Sequence, residues 1–297
     1  MVRVIDLECD LPLKAADGGA AQGEAAGGTS VGHEPDAVPG YGMANYARIF
    51  RTRQEGTEAR PPISADEAAT ILAAAGVERG VLLQASNAIT AAAVRSHPER
   101  FIGLARMSPH QGMRAVRDLE RLIREEGLHG LHLSTFREFL PVSDRRYYPL
   151  LTKAAELGVP VRIYSTMSYA TDRPYDIGHP RHLDQVCMDF PELTVIAGLG
   201  GWPWVNEMVA LARRHPNLYI DTSAHRPRYF AQPGSGWEML MQFGNTLIQD
   251  KVMTGLSPAL MGEPYETLIQ EYLNLPLKDS VKEKWLYATA ARVFGVA

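Results

Sequence analysis

Residues 129–165, HGLHLSTFREFLPVSDRRYYPLLTKAAELGVPVRIYS, decide the fold. A short apolar run, HGLHLS, is followed by a segment with apolar residues at helical spacing, DRRYYPLLTKAAELG, and then by a second apolar run, PVRIYS. Near-continuous apolar strands separated by a helix demand parallel pairing with both faces of the sheet covered. This unit is one beat of a rhythm that runs outward in both directions.

Upstream, ISADEAATILAAAG reads as a helix capped by Ser64, with Glu67 three residues later completing a capping box. RGVLLQ, helix SNAITAAAVRSHP ending before Pro98, FIGLAR and helix HQGMRAVRDLERLIREEG follow. Downstream come helix PRHLDQVCMDF, strand LTVIAG, helix WPWVNEMVALARRH, strand NLYIDTS, helix GWEMLMQFGNTLI and strand DKVMTG. Helix EPYETLIQEYL and a last helix, SVKEKWLYATAARVF, end the series. With the opening VRVIDLE this makes eight strands, which close naturally into a (β/α)8 TIM barrel of the α/β class. An open doubly wound sheet is the rival, but no GxGxxG fingerprint follows the first strand.

The expectation is one domain over residues 1–297, with an insertion spanning about residues 11–62. Inside it, residues 15–32, AADGGAAQGEAAGGTSVG, are two-thirds Ala and Gly without apolar periodicity, which marks a mobile loop and a candidate lid. Tyr41, Asn45, Tyr46 and Arg48 are expected to fold back over the barrel mouth.

The chain of 297 residues is 45% hydrophobic and 22% charged, with a formal net charge of -4. That is globular composition with no electrostatic footprint for nucleic acid or an anionic membrane, so a small-molecule partner is expected. Two cysteines, Cys9 and Cys187, no apolar leader and no run long enough to span a bilayer point to a cytoplasmic protein with reduced thiols. Nine histidines, at 33, 97, 110, 129, 132, 179, 182, 215 and 225, bear on metal chemistry through where they fall.

The working site of such a barrel lies at the C-terminal ends of its strands. Strict alternation along VRVIDLECD groups Val4, Asp6, Glu8 and Asp10 on one face, read as facing the mouth, and Ile5, Leu7 and Cys9 on the other. The same rule groups His132 with Ser134, Arg162 with Tyr164, and Asp221 with Ser223. The expected mouth therefore holds Glu8, Asp10, His132, Arg162 and Tyr164, with Arg162 paired to Asp6 or Glu8, and Asp6 holding the end of the first strand. His132, Glu8, Asp10 and Tyr164 are the candidate catalytic groups. Arg162, His225, Arg226, Trp202 and Ser257 are the candidate substrate contacts, although the cluster Trp202, Trp204 and Trp237 also reads as packing. His179 and His182 fall at a helix start rather than in a metal site, and His97 and His215, each followed by Pro, read as exposed helix ends. Cys9 faces away from the mouth, and no GxSxG elbow supports Ser/His/Asp hydrolysis.

IDLECDLP, ELGVPVRIYS, the run from Asp176 to Phe230, DKVMTGLSP and the closing LYATAARVFG together resemble the amidohydrolase superfamily. The nearest branch is the amidohydrolase-2 group, which includes aminocarboxymuconate-semialdehyde decarboxylase and resorcylate-type decarboxylases. The resemblance implies a barrel, a homodimer, and action on small, often aromatic or unsaturated carboxylates. It also implies a divalent zinc or manganese held by an HxH or ExH pair on the first strand, a His ending the fifth, a His ending the sixth and an Asp ending the eighth. At those positions this chain has Glu8 and Asp10, Tyr164, Leu199 and Ser257. Only Glu8 matches a usual choice, and the remaining oxygen-only set suits zinc poorly.

The expectation is therefore a metal-independent hydrolase, lyase or cyclase without a cofactor. Glu8 or Asp10 serves as base, Tyr164 as acid, and Arg162 or Arg226 as carboxylate holder. Metal-free members of the superfamily occur among the pyrone-dicarboxylate lactonases. Two alternatives stand beside this reading: a metal-dependent decarboxylase or hydrolase with unusual oxygen ligands, and a non-catalytic binding subunit on the same scaffold.

Overall fold

The computed structural model describes residues 2–15, 61–84, 86–169 and 173–296. The candidate lid beyond Ala15 and the group Tyr41, Asn45, Tyr46 and Arg48 lie outside the described residues.

Eight strands, β1 (Ile5–Cys9), β2 (Arg79–Leu82), β3 (Phe101–Arg106), β4 (Gly130–Leu133), β5 (Val161–Tyr164), β6 (Val195–Gly198), β7 (Leu218–Asp221) and β8 (Val252–Met253), form one sheet in chain order. Every neighbouring pair is parallel. The Leu7 N–H donates to the Thr254 carbonyl at 2.9 Å, joining the end of the sheet back to its start. The expected (β/α)8 barrel is thus the fold observed.

The helices between the strands are α1 (Ala65–Ala74), α2 (Asn87–Ser96), α3 (Met113–Arg124), the short α4 (Thr135–Glu138), α5 (Tyr148–Leu157), α6 (Arg181–Asp189), α7 (Val205–Arg214) and α8 (Glu238–Gly244). After β8 come α9 (Pro258–Met261) and α10 (Tyr265–Leu273). The last helix of the sequence reading is α11 (Asp279–Glu283), a π-helical turn (Lys284–Ala288) and α12 (Thr289–Phe294) run together. The capping box at α1 is present: Ser64 accepts from the Glu67 N–H, and Glu67 reaches back to the Ser64 N–H.

Alternation divides each strand between two cores. Val161 and Ile163 of β5 join the large outer core shared with the helices, as do Leu131 and Leu133 of β4. Ile5, Leu7, Val81, Ile102, Leu104, Ile196 and Met253 fill the barrel interior, with Ala290, Ala291 and Phe294 of α12 packed against them. Arg162 and Tyr164 take the inward positions of β5, and His132 that of β4, as the alternation requires.

β1 departs from strict alternation. Its register against β2 shifts between Asp6 and Cys9, the mark of a bulge. Ile5 and Leu7 point into the barrel, Asp6 and Cys9 point out, and Glu8 follows Leu7 inward. The expected grouping of Asp6 with Glu8 is corrected accordingly, since one extra residue reverses the phase beyond it, whereas Asp10, past the end of β1, leaves the group by bonding the first turn of α9. His215 is also corrected: it ends α7 but is buried, with Nε2 2.6 Å from Asp184 Oδ1.

Candidate active site

Arg162 is the centre of the barrel mouth. Its side chain is fully buried, a position a guanidinium tolerates only when its charge and its N–H groups are answered. Nε donates to Asp221 Oδ2 at 2.6 Å; Nη2 donates to Glu8 Oε2 at 2.7 Å, Asp221 Oδ1 at 3.2 Å and Ser223 Oγ at 3.1 Å. The contacts tie β5 to β1 and β7 across the interior. Gly198 makes room for this, because a methyl group there would stand 3.2 Å from Tyr164 Cδ1 and 3.3 Å from Arg162 Cζ. Burial alone would lower the Arg162 pKa, but the carboxylates of Asp221 and Glu8 outweigh it and hold the guanidinium charged.

The other Glu8 oxygen accepts from the Tyr164 hydroxyl at 3.0 Å. Burial, reinforced by the Glu8 charge, pushes the Tyr164 phenol well above its ordinary range, so it stays protonated. His132 meets Tyr164 edge-on at 4.6 Å between ring centroids, and the Arg162 guanidinium lies 5.1 Å from the same ring centre. Burial, with the Arg162 and Arg106 charges, lowers the His132 pKa far below that of a free imidazole, which leaves the ring neutral.

The two aspartates of the first strand do different work. Asp6 accepts from the N–H groups of Leu256 (2.7 Å) and Glu8 (3.0 Å) and from the Tyr265 hydroxyl (3.2 Å), pinning β1 to the end of β8 as expected. It is not the partner of Arg162; Asp221 takes that place beside Glu8. Asp10 accepts from the N–H groups of Ala259 (3.1 Å) and Leu260 (2.8 Å) and so caps α9. Burial raises Asp6 to about 6 and Asp10 to about 7.

The remaining sequence candidates are dispersed. Arg226 is held by Glu263, at 2.7 Å, and by both carboxylate oxygens of Glu271. His225 donates from Nε2 to the Leu199 carbonyl at 3.2 Å, and burial takes its pKa down to about 4. Trp202 donates to the Ser235 carbonyl at 3.3 Å, while Trp237 is buried against Phe230, ring centres 4.4 Å apart. Ser257 is fully buried and accepts from the Ala224 N–H at 3.3 Å.

Leu199, Ala224 and Ser257, just beyond β6, β7 and β8, all carry left-handed backbone, with φ of 70°, 62° and 48°. Such conformations cost a non-glycine residue about 1 kcal/mol and persist where neighbours fix them. Here Asp221 Oδ1 accepts from the Leu199 N–H at 3.3 Å, His225 holds the Leu199 carbonyl, and Ser257 holds the Ala224 N–H. The three loops interlock.

Several residues were not singled out from sequence. Asp221 and Ser223 carried a signal, since alternation in NLYIDTS already placed them together. Ser108, beyond β3, donates to Glu138 Oε2 of α4 at 2.6 Å, and His110 Nε2 stands 3.8 Å from the same oxygen. Burial raises the Glu138 pKa. Nothing in the local sequence TFREFL marks Glu138, because its burial depends on a loop from a different strand.

The donor set at the family's ligand positions does not fit a divalent cation. Asp10 is turned onto α9, both Glu8 oxygens are engaged by Arg162 and Tyr164, and the Leu199 and Ser257 positions serve the loop interlock. No group of three or more His, Cys, Asp or Glu side chains among the described residues could hold a metal ion.

The model of the Amidohydrolase family matches residues 46–296. The chain belongs to the amidohydrolase family. Among solved structures, an uncharacterised TIM-barrel protein from Bordetella bronchiseptica is 25% identical, with 99% of both chains covered and a TM-score of 0.73. The 5-carboxyvanillate decarboxylase of Sphingomonas paucimobilis is 16% identical over 100% of both chains, at a TM-score of 0.67. The 4-oxalomesaconate hydratase of Rhodopseudomonas palustris is 17% identical over 100% of this chain and 96% of its own, at 0.59. These low identities speak for the shared amidohydrolase barrel. No curated protein matches the chain. No helix among the described residues is long and apolar enough to cross a membrane.

Proposed function

We propose that this amidohydrolase-family protein is a metal-independent acid–base enzyme, of hydrolase or lyase type, acting on a small organic acid or related intermediate. The reading rests on one observation: Glu8 lies between the Tyr164 hydroxyl and the Arg162 guanidinium at the barrel mouth. Glu8 is the carboxylate that faces the mouth and is the group placed to accept a proton from a substrate or a water. Tyr164, held protonated, turns its single O–H from Glu8 to a substrate oxygen on which charge develops. Asp221 and Ser223 position Arg162. Proteins of this fold include a 5-carboxyvanillate decarboxylase, a 2,6-dihydroxybenzoate decarboxylase and a 4-oxalomesaconate hydratase, which supports the reaction class.

The test is turnover against a panel of small aromatic and unsaturated carboxylic acids and their lactones, with protein purified without chelator. Glu8→Gln is expected to lower kcat at least a hundredfold and Tyr164→Phe about tenfold. Stoichiometric zinc or manganese in the active protein overturns metal independence. Turnover unaffected by both substitutions overturns the site, and absence of turnover across the panel favours a binding subunit. A cytoplasmic homodimer acting without partners other than its substrate belongs to the same proposal, and sedimentation of the purified protein checks the dimer.

A further inference from the structure

Two polar atoms in the barrel interior have no hydrogen-bond partner among the described residues although both are buried: Arg162 Nη1 and His132 Nδ1. Their residues are 0% and 3% exposed. Leaving such groups unanswered is costly, and a guanidinium N–H most of all, so buried orphans of this kind mark places where a small polar guest belongs. The two residues are direct partners in the β4–β5 register, both point inward, and both lie against the ring of Tyr164.

The charge around them restricts the guest. Arg162 carries one positive charge and is already met by two carboxylates, Glu8 and Asp221. Arg106, the register partner of His132 on β3, adds a second positive charge, so the two cations and two carboxylates balance and a further anion would gain no net attraction to offset its loss of hydration. A neutral oxygen needs no such attraction. It accepts from Nη1, and it is satisfied on its other side by a neutral imidazole nitrogen.

We propose that Arg162 Nη1 and His132 Nδ1 form a subsite for one neutral oxygen beneath Tyr164, filled by a water in the resting protein and by a carbonyl or hydroxyl oxygen of bound substrate. The catalytic use of the subsite rests on the acid–base reading of Glu8 and Tyr164; its occupancy does not. It also gives Arg162 a narrower role than that of carboxylate anchor. Two of its nitrogens are committed to the protein, and the third, Nη1, is the one left to donate to the oxygen of the group that reacts.

The experiment is a crystal structure of the full chain, alone and after soaking with formamide or with formate, two probes of matched size that differ in charge. The expected result is one ordered water within hydrogen-bond distance of both atoms, replaced by the formamide oxygen and undisturbed by formate. No density between the two atoms, or formate bound there in preference to formamide, overturns the subsite. His132→Phe is expected to remove the water while leaving the Arg162 pairs with Glu8 and Asp221 in place. Retention of the water in that variant also overturns it. Arg162→Lys keeps the charge between Glu8 and Asp221, removes Nη1, and is expected to lose the water as well. The outcomes separate the two proposals. An empty subsite with turnover still dependent on Glu8 removes only this one, whereas a filled subsite with turnover indifferent to Glu8 removes only the acid–base reading.

Discussion

Within six residues, IDLECD places three carboxylates that meet two different environments. Glu8 faces into the barrel and is answered by a cation, Arg162, and by a phenol from β5. Asp6 faces the other way and Asp10 follows the end of the strand; both are answered by backbone N–H groups beyond β8, Asp6 with one tyrosine hydroxyl as well. Peptide dipoles offset burial only in part, so both aspartates have raised pKa values. The inward carboxylate faces the mouth, and the two aspartates hold the barrel seam where β1 meets the end of β8.

The strongest way to break this contrast is to remove the cation. Arg162→Met leaves Glu8 and Asp221 without their partner in the interior and is expected to lower stability by about 3–5 kcal/mol in urea unfolding at neutral pH. An unchanged midpoint would show that the triad is not what holds the mouth together.

For the two aspartates the signature is pH dependence. Asp10 has a folded pKa of about 7, above its unfolded value, so its contribution to stability is fully present below about pH 4 and is lost as pH rises through 7. Asp10→Asn removes that titration. Its stability relative to the native chain should rise between about pH 4 and pH 8 by roughly 4 kcal/mol, read from denaturation at a series of pH values. A constant difference across that range would sink the assignment.

A smaller effect sharpens the inward side. Gly198→Ala presses a methyl group toward Tyr164 and Arg162 and is expected to cost about 1–2 kcal/mol. It should also lower any turnover that Glu8 supports, because the tyrosine and guanidinium it displaces both bond that carboxylate. Ser64→Ala, remote from both sets, removes only the cap of α1. A loss of about 1 kcal/mol with no change in turnover is expected, which gives the scale of a purely structural change.

Much of the site was legible in the sequence. Arg162 with Tyr164, and Asp221 with Ser223, follow from alternation in two short strands, and His132 from a third. Glu8 was correctly placed at the mouth, though for an incomplete reason, since strict alternation also sent Asp6 and Asp10 there. Arg226 had the composition of a substrate anchor, but Glu263 and Glu271, contributed by distant segments, bind it. The Ser108–Glu138 pair could not be read because it joins loops that follow different strands.

By itself the sequence determined the eightfold alternation of strand and helix, and with it the barrel and the end at which polar side chains gather, because both follow from periodicities of two and 3.6 residues. The tertiary structure decided which carboxylate enters that end. The register shift between Asp6 and Cys9 is set by pairing against β2. Partners for Arg162 come from β1 and β7, 154 and 59 residues away, so the charge balance of the site exists only once the barrel has brought those strands around one interior.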